Sequence, residues 1–204
     1  MSRQLALPLT SEATPTLESF VPGANAEALA RLRALVAGRL AEGQVYLWGA
    51  PGSGKTHLVR ACVAARPGLL AADDVQALDD EAQRALFCAI LEAREAGEPV
   101  LVAGAAPPAV LPLRSDLASR LAQGLVYRLH PLGDEERRAY VFAEARRRGL
   151  ALGDEVVAYL LSRARRDPAS LAALLERLDR LSLERGRPVS VGLVREALAG
   201  DVPQ

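Results

Sequence analysis

Gly49-Ala50-Pro51-Gly52-Ser53-Gly54-Lys55-Thr56 is a full match to G-x-x-x-x-G-K-[ST], the phosphate-binding loop. Its lysine is the only one in a chain with 25 basic residues, so all the others are arginine. A composition that avoids lysine keeps one where a compact ammonium, not a planar guanidinium, is needed. Glycines 49, 52 and 54 let backbone N–H groups close around phosphate oxygens, and the helix that follows presents its positive end to them. The flanking sequence agrees. Gln44-Val45-Tyr46-Leu47-Trp48 is a β-prone run just before the loop, and Thr56–Ala65 reads as a helix just after it. Strand, loop and helix are the context that this motif requires.

The 204 residues suffice for one sizeable domain or two small ones. Half are hydrophobic but only 4% aromatic, so the core must be built of Leu, Ala and Val. Acids and bases balance at 25 each, which argues against a chain-wide electrostatic binder of DNA or membranes. Cys62 and Cys88 both fall on helical, apolar-flanked stretches and read as reduced core thiols. No apolar run approaches the length of a membrane span, and no charged-then-apolar leader opens the chain; a cytoplasmic protein is expected.

Residues 1–14 read as a tail, with Leu17–Pro22 extended. A helix is expected over Asn25–Leu40, with Asn25 as N-cap. Leu69-Leu70-Ala71-Ala72-Asp73-Asp74 is an apolar run ending in an acidic pair. It reads as a buried parallel strand with carboxylates at its C-terminal edge, where a Mg²⁺-binding acid of a nucleotide site stands. Asp80–Ala96 is helical, Pro99–Gly104 a strand, Leu113–Ala122 helical and Leu125–Leu129 a last strand. Four helical patterns follow, over Asp134–Arg148, Asp154–Arg165, Ser170–Arg185 and Val191–Ala199. The expectation is a tail (1–14), an α/β parallel-sheet base domain (15–130) and a small all-helical domain (131–204).

Several further stretches carry a resemblance. They are Gln4-Leu5-Ala6-Leu7-Pro8-Leu9, Leu17–Gly23, Ala72-Asp73-Asp74-Val75, Ala105-Ala106-Pro107-Pro108, Ser115-Asp116-Leu117-Ala118-Ser119-Arg120-Leu121 and Tyr127–Leu132. With the phosphate-binding loop, they make almost the whole chain resemble the initiator clade of the AAA+ ATPases. Within it the chain is similar to the DnaA-related regulatory inactivators of bacterial replication initiation.

The resemblance implies adenine nucleotide, ADP or ATP, with Mg²⁺. Gly49, Pro51, Gly52, Ser53, Gly54, Lys55, Thr56 and His57 would bind it, with the adenine near Phe20 and Val21. Thr56 and Asp73 would hold the metal, and Asp74 would take part in catalysis. Arg120 matches the family's arginine finger, which completes a neighbour's site and stabilises charge on the transferred phosphoryl group. In comparable GTPases such a finger is worth roughly 10³–10⁵ in rate. Arg114 is the weaker candidate for that role. Gln4, Leu5, Leu7, Pro8 and Leu9 resemble the motif that docks on the DNA polymerase III β sliding clamp. Pro8 favours extended backbone, the leucines are apolar anchors, and Gln4 can orient by its amide. The implied partners are DnaA and the clamp, with DNA reached only through the clamp, no membrane, and a possible homo-oligomer. The implied function is an adaptor that stimulates ATP hydrolysis by DnaA and so negatively regulates initiation. An autonomous, helicase-loader-like AAA+ ATPase is the alternative.

Three departures from the family stand out. Only His57–Ala72 separates Thr56 from Asp73, so one strand and helix are missing. In the family's strand order 5-1-4-3-2 the lost strand is an edge, and strand 3 would become a new edge. The polar sensor after strand 4 falls at Ala105. The sensor arginine of the helical lid falls near Ala169, with Arg165 and Arg166 close by. The last two changes point to slow intrinsic hydrolysis, and leave nucleotide binding less affected.

Overall fold

The computed structural model describes residues 15–165 and 167–199. The expected clamp-binding residues Gln4, Leu5, Leu7, Pro8 and Leu9 lie outside them, as does Arg166.

β1 (Gln44–Gly49) and β3 (Val100–Gly104) are almost wholly buried, as continuous apolar runs in the middle of a parallel sheet should be. β1 pairs with β3 from Gln44↔Val100 to Trp48↔Gly104, and with β4 (Leu125–Leu129) from Val45↔Leu125 to Gly49↔Leu129. β2 (Leu70–Ala72) adds to the far side of β3. The sheet order is β2-β3-β1-β4, all parallel. This is the expected family order with its last edge strand absent, and β2, only 3 residues long, is the new edge. A short edge strand offers little unpaired backbone to other chains.

Alternation along β1 sends side chains to two faces. Val45 and Leu47 join the cluster under α1 (Ala26–Val36) and α2 (Lys55–Ala65). Tyr46 joins the cluster under α3 (Asp80–Glu95) and α4 (Ser115–Ala122). The sheet is therefore covered on both faces, the arrangement that buries a parallel sheet. A third cluster belongs to the C-terminal helices α5 (Asp134–Arg147), α6 (Asp154–Arg163), α7 (Pro168–Arg185) and α8 (Val191–Ala199). Its centre is Val141, Leu160, Leu171, Leu175 and Val194, all fully buried.

The structure differs from local expectation in several places. Leu17–Ser19 forms a turn instead of extended chain, because Thr16 and Ser19 exchange hydrogen bonds. Such side-chain bonds compete with extended backbone. α1 stops at Val36, four residues short, where Gly38 takes a positive φ and begins a turn. Asn25 makes no capping bond; its amide donates to the His130 carbonyl and its carbonyl accepts from the His130 N–H, at 2.8 and 2.7 Å. Tertiary pairing with the end of β4 outcompetes the local cap. Cys62 is a buried thiol, pushed up to about 12 by burial, but Cys88 is exposed. α6 ends at Arg163, before Arg165, and α7 begins at Pro168, which is well suited to the first helical position. No helix among the described residues is long and apolar enough to cross a membrane.

Candidate functional site

The loop Ala50–Gly54 runs from the C-terminal end of β1 into α2. Gly54 sits at φ +93° in the left-handed region, and a Cβ there would lie 2.6 Å from the Phe20 ring. The glycine thus allows both the turn and the approach of Phe20. Lys55 is 9% exposed, and its ammonium donates to the carbonyls of Gly49 and Ala50 at 2.8 and 3.3 Å. Ser53 is buried and its hydroxyl has no partner among the described residues. Buried hydroxyls are normally satisfied, so an acceptor is wanting here. The Thr56 hydroxyl donates to Asp73 Oδ2 at 2.6 Å, joining the first turn of α2 to the end of β2.

A loop of backbone N–H groups, a held ammonium, an unpartnered hydroxyl and a hydroxyl–carboxylate pair form a donor set that fits phosphates and a hard divalent cation. The structure therefore brings Gly52, Ser53, Gly54, Lys55, Thr56 and Asp73 together as expected from sequence.

The approach to the loop is fastened by His57. Its Nε2 lies 3.0 Å from the Thr16 carbonyl and 3.3 Å from the Ser19 hydroxyl. A carbonyl can only accept, so Nε2 carries the proton. The ring also lies 5.7 Å, centroid to centroid, from Phe20. His57 thus holds the 16–20 turn and Phe20 against the phosphate loop, with half-buried Val21 next in the chain.

Asp74 is the one non-glycine residue at positive φ (+50°) among the described residues. Such backbone is sparsely populated and tolerated best by Asp and Asn. Its N–H donates to Asp73 Oδ1 at 2.9 Å, and its own Oδ1 accepts from Gln76 Nε2 at 3.0 Å. Gln76 Oε1 in turn accepts the N–H of Ala105 at 2.9 Å. Ala105 itself offers only a methyl group, as expected.

The helical C-terminal part reaches the loop through Asp167. Its carboxylate caps α7 by accepting from the Ser170 N–H at 2.8 Å, and a Cβ at Gly52 would lie 3.2 Å from its Cβ. Ala169 lies in the first turn of α7, where it offers only a methyl group. Arg165 is 84% exposed at its side chain and lies 3.9 Å from Asp167.

Arg120 is not at this site. α4 runs antiparallel to the strands, and its last turn sits at the start of β1, where Gln44 Nε2 donates to the Arg120 carbonyl at 2.9 Å. β1 has 6 residues, so about 16 Å of strand separates Arg120 from its own phosphate loop. Its guanidinium donates to the neutral Gln123 side chain at 2.8 Å. Arg114, in contrast, is bound to Asp116 and Asp80 at 3.0 and 3.2 Å, and its hydrogen bond holds the Asp116 carboxyl below the usual carboxylate range. Of the two, Arg120 is the one without a carboxylate partner among the described residues.

Gln76 and Asp167 escaped the sequence reading. An Asp-Asp pair followed two residues on by Gln was a usable signal for the first. The second carries no pattern beyond that of an ordinary N-cap.

Residues 134–198 match the family described as "Hda, lid domain". The chain is also similar to domain III of the replication initiation protein DnaA from Thermotoga maritima: 20% identity, TM-score 0.76, covering 94% of this chain and 98% of that one. AMPPCP-bound DnaA from Aquifex aeolicus is similar at 20% identity and TM-score 0.68, over 85% and 66% of the two chains. The RuvB Holliday junction branch migration motor of Thermotoga maritima follows at 19% and 0.65, over 91% and 72%. At such identities the solved structures establish the fold alone: a parallel-sheet nucleotide-binding base followed by a helical domain, as in domain III of DnaA. Residues 134–198 thus match the Hda lid family, and the chain as a whole shares its fold with domain III of DnaA.

Proposed function

We propose that this chain is an Hda-type adaptor of replication initiation. It binds adenine nucleotide with Mg²⁺ at Gly49–Thr56 and Asp73, docks on the sliding clamp through Gln4, Leu5, Leu7, Pro8 and Leu9, and supplies Arg120 to ATP-bound DnaA. The observation that carries the reading is the position of Arg120. It lies at the opposite end of β1 from its own phosphate loop and has no carboxylate partner among the described residues, so it is available to a site on another molecule and not to its own. The lid match supports the Hda type, and AMPPCP-bound DnaA supports the nucleotide class.

In this scheme the chain's residues divide the work. Lys55 and the loop N–H groups hold the phosphates, and Thr56 and Asp73 would hold the Mg²⁺, which would supply charge neutralisation there. Phe20 and Val21 lie against the adenine. Arg120 places a planar, permanently charged fork where negative charge builds on the phosphoryl group being transferred in DnaA. Tethering by the tail raises the effective concentration, so that each contact can be weak. The test is DnaA ATP hydrolysis with and without this chain and a DNA-loaded clamp. Stimulation that Arg120→Ala abolishes is the expected result, and stimulation that persists in Arg120→Ala overturns the finger assignment.

The intact Thr56–Asp73 pair and the adjacent Asp74 favour a second reading, an autonomous ATPase of helicase-loader type. Rapid turnover by the isolated chain would establish it.

A further inference from the structure

We propose that Gln76 reads the terminal phosphate of a bound nucleoside triphosphate, from a position on the chain that differs from the one at which this fold would be expected to carry its polar sensor. The proposal rests on the nucleotide-binding reading above. Its basis is a continuous line of hydrogen bonds. Thr56 donates to Asp73, Asp73 accepts from the Asp74 N–H, Asp74 accepts from Gln76, and Gln76 accepts from the Ala105 N–H, every link between 2.6 and 3.0 Å. The line starts at the hydroxyl–carboxylate pair suited to the metal and ends at the C-terminus of β3, so Gln76 bridges the two walls of the site.

Both partners dictate which way the amide points. A carboxylate can only accept and a backbone N–H can only donate, so Nε2 faces Asp74 and Oε1 faces Ala105. An amide nitrogen carries two hydrogens. One is used on Asp74; the other has no acceptor among the described residues. Beside Ala105, whose methyl group can contact no phosphate, this N–H is a neutral donor on a half-buried side chain held between Asp74 and the end of β3. A γ-phosphate oxygen is an anionic acceptor that ADP lacks, so the spare N–H distinguishes the two nucleotides. The strained backbone of Asp74 fits the same picture, since it turns the carboxylate that orients the amide.

The experiment is calorimetric titration of the full-length chain with Mg·ADP and with Mg·AMPPCP, a triphosphate analogue. Gln76→Ala should weaken AMPPCP at least about tenfold, the worth of a hydrogen bond to a charged group, with ADP unchanged to within about twofold. Gln76→Glu, which removes the donor and faces Asp74 with a second carboxylate, should do so more strongly. Ala105 is exposed and has room for a longer side chain, so Ala105→Asn added to Gln76→Ala should restore AMPPCP affinity from the other wall. A purely structural role would not give that rescue. Equal losses of both ligands in Gln76→Ala, or an unchanged AMPPCP affinity, would overturn the proposal and leave nucleotide binding intact. An unaltered chain that binds neither ligand would overturn the nucleotide reading, and this one with it.

Discussion

Tyr46→Phe separates two roles of one buried phenol. Tyr46 is fully buried in the middle of β1, and its hydroxyl donates to the Ala106 carbonyl at 2.8 Å, just past the end of β3. Removing the hydroxyl deletes that bond and leaves a carbonyl without its partner, a loss of about 1–1.5 kcal/mol near neutral pH. The same burial pushes the phenol from 10.0 up to about 12. Because the folded state holds the proton more tightly, the unfolded chain ionises first. The stability contributed by the protonated phenol is therefore complete below about pH 10 and is lost as pH rises towards 12. Two pH units at 1.36 kcal/mol each amount to about 2.7 kcal/mol, of which about 1.4 is gone at pH 11.

Phenylalanine has nothing to lose in that window. The variant should be the less stable protein near pH 8, equal to the parent near about pH 11, and the more stable above it. Cys62, also raised to about 12, titrates in both proteins and cancels in the difference. Urea unfolding followed by far-ultraviolet circular dichroism, at several pH values, measures the gap directly. A gap that stays constant from neutral to strongly alkaline pH would refute the argument that burial controls this phenol.

Lys55→Ala should abolish adenine-nucleotide binding, because the replaced ammonium is the group that the loop holds ready on its own carbonyls; calorimetry with ADP checks this. Replacing Gln4, Leu7 and Leu9 together by alanine should remove binding to the clamp and leave nucleotide affinity unchanged, as measured by surface plasmon resonance and calorimetry on the same preparation. Arg120→Lys should fail to stimulate DnaA hydrolysis although its charge is kept, since an ammonium cannot reproduce the bidentate fork; a variant as active as the parent would make charge alone sufficient.

Much of the base was legible because its signals are local. A glycine-rich loop between a β-prone run and a helix has few alternative readings. The short spacing from Thr56 to Asp73 correctly anticipated β2 as the edge of the sheet. What stayed hidden depends on contacts between distant residues. Asn25 looks like an N-cap, yet its amide is spent on His130, far away in the chain. Cys88 has apolar neighbours in sequence but lies on the open side of α3. Gln76 looks like any surface glutamine until β3 brings Ala105 to it. The helical lid was legible as helices from their periodicity, whereas the placement of Asp167 on Gly52 follows from how the lid sits on the base.

The strand pairings also bear on how the chain folds. The central strand meets its neighbours only after long excursions: Gln44 pairs with Val100 and Val45 with Leu125. Each pairing must first pay the entropy of closing a large loop, which makes such a sheet slow to assemble. The lid helices follow one another directly and bury their own apolar cluster, so their contacts close shorter stretches of chain than the sheet pairings do. As the ribosome releases the chain from its N-terminus, β1 must wait for β3 and then β4 before it is covered. During that interval its two apolar faces, Val45 and Leu47 on one and Tyr46 on the other, are the surface most open to wrong partners.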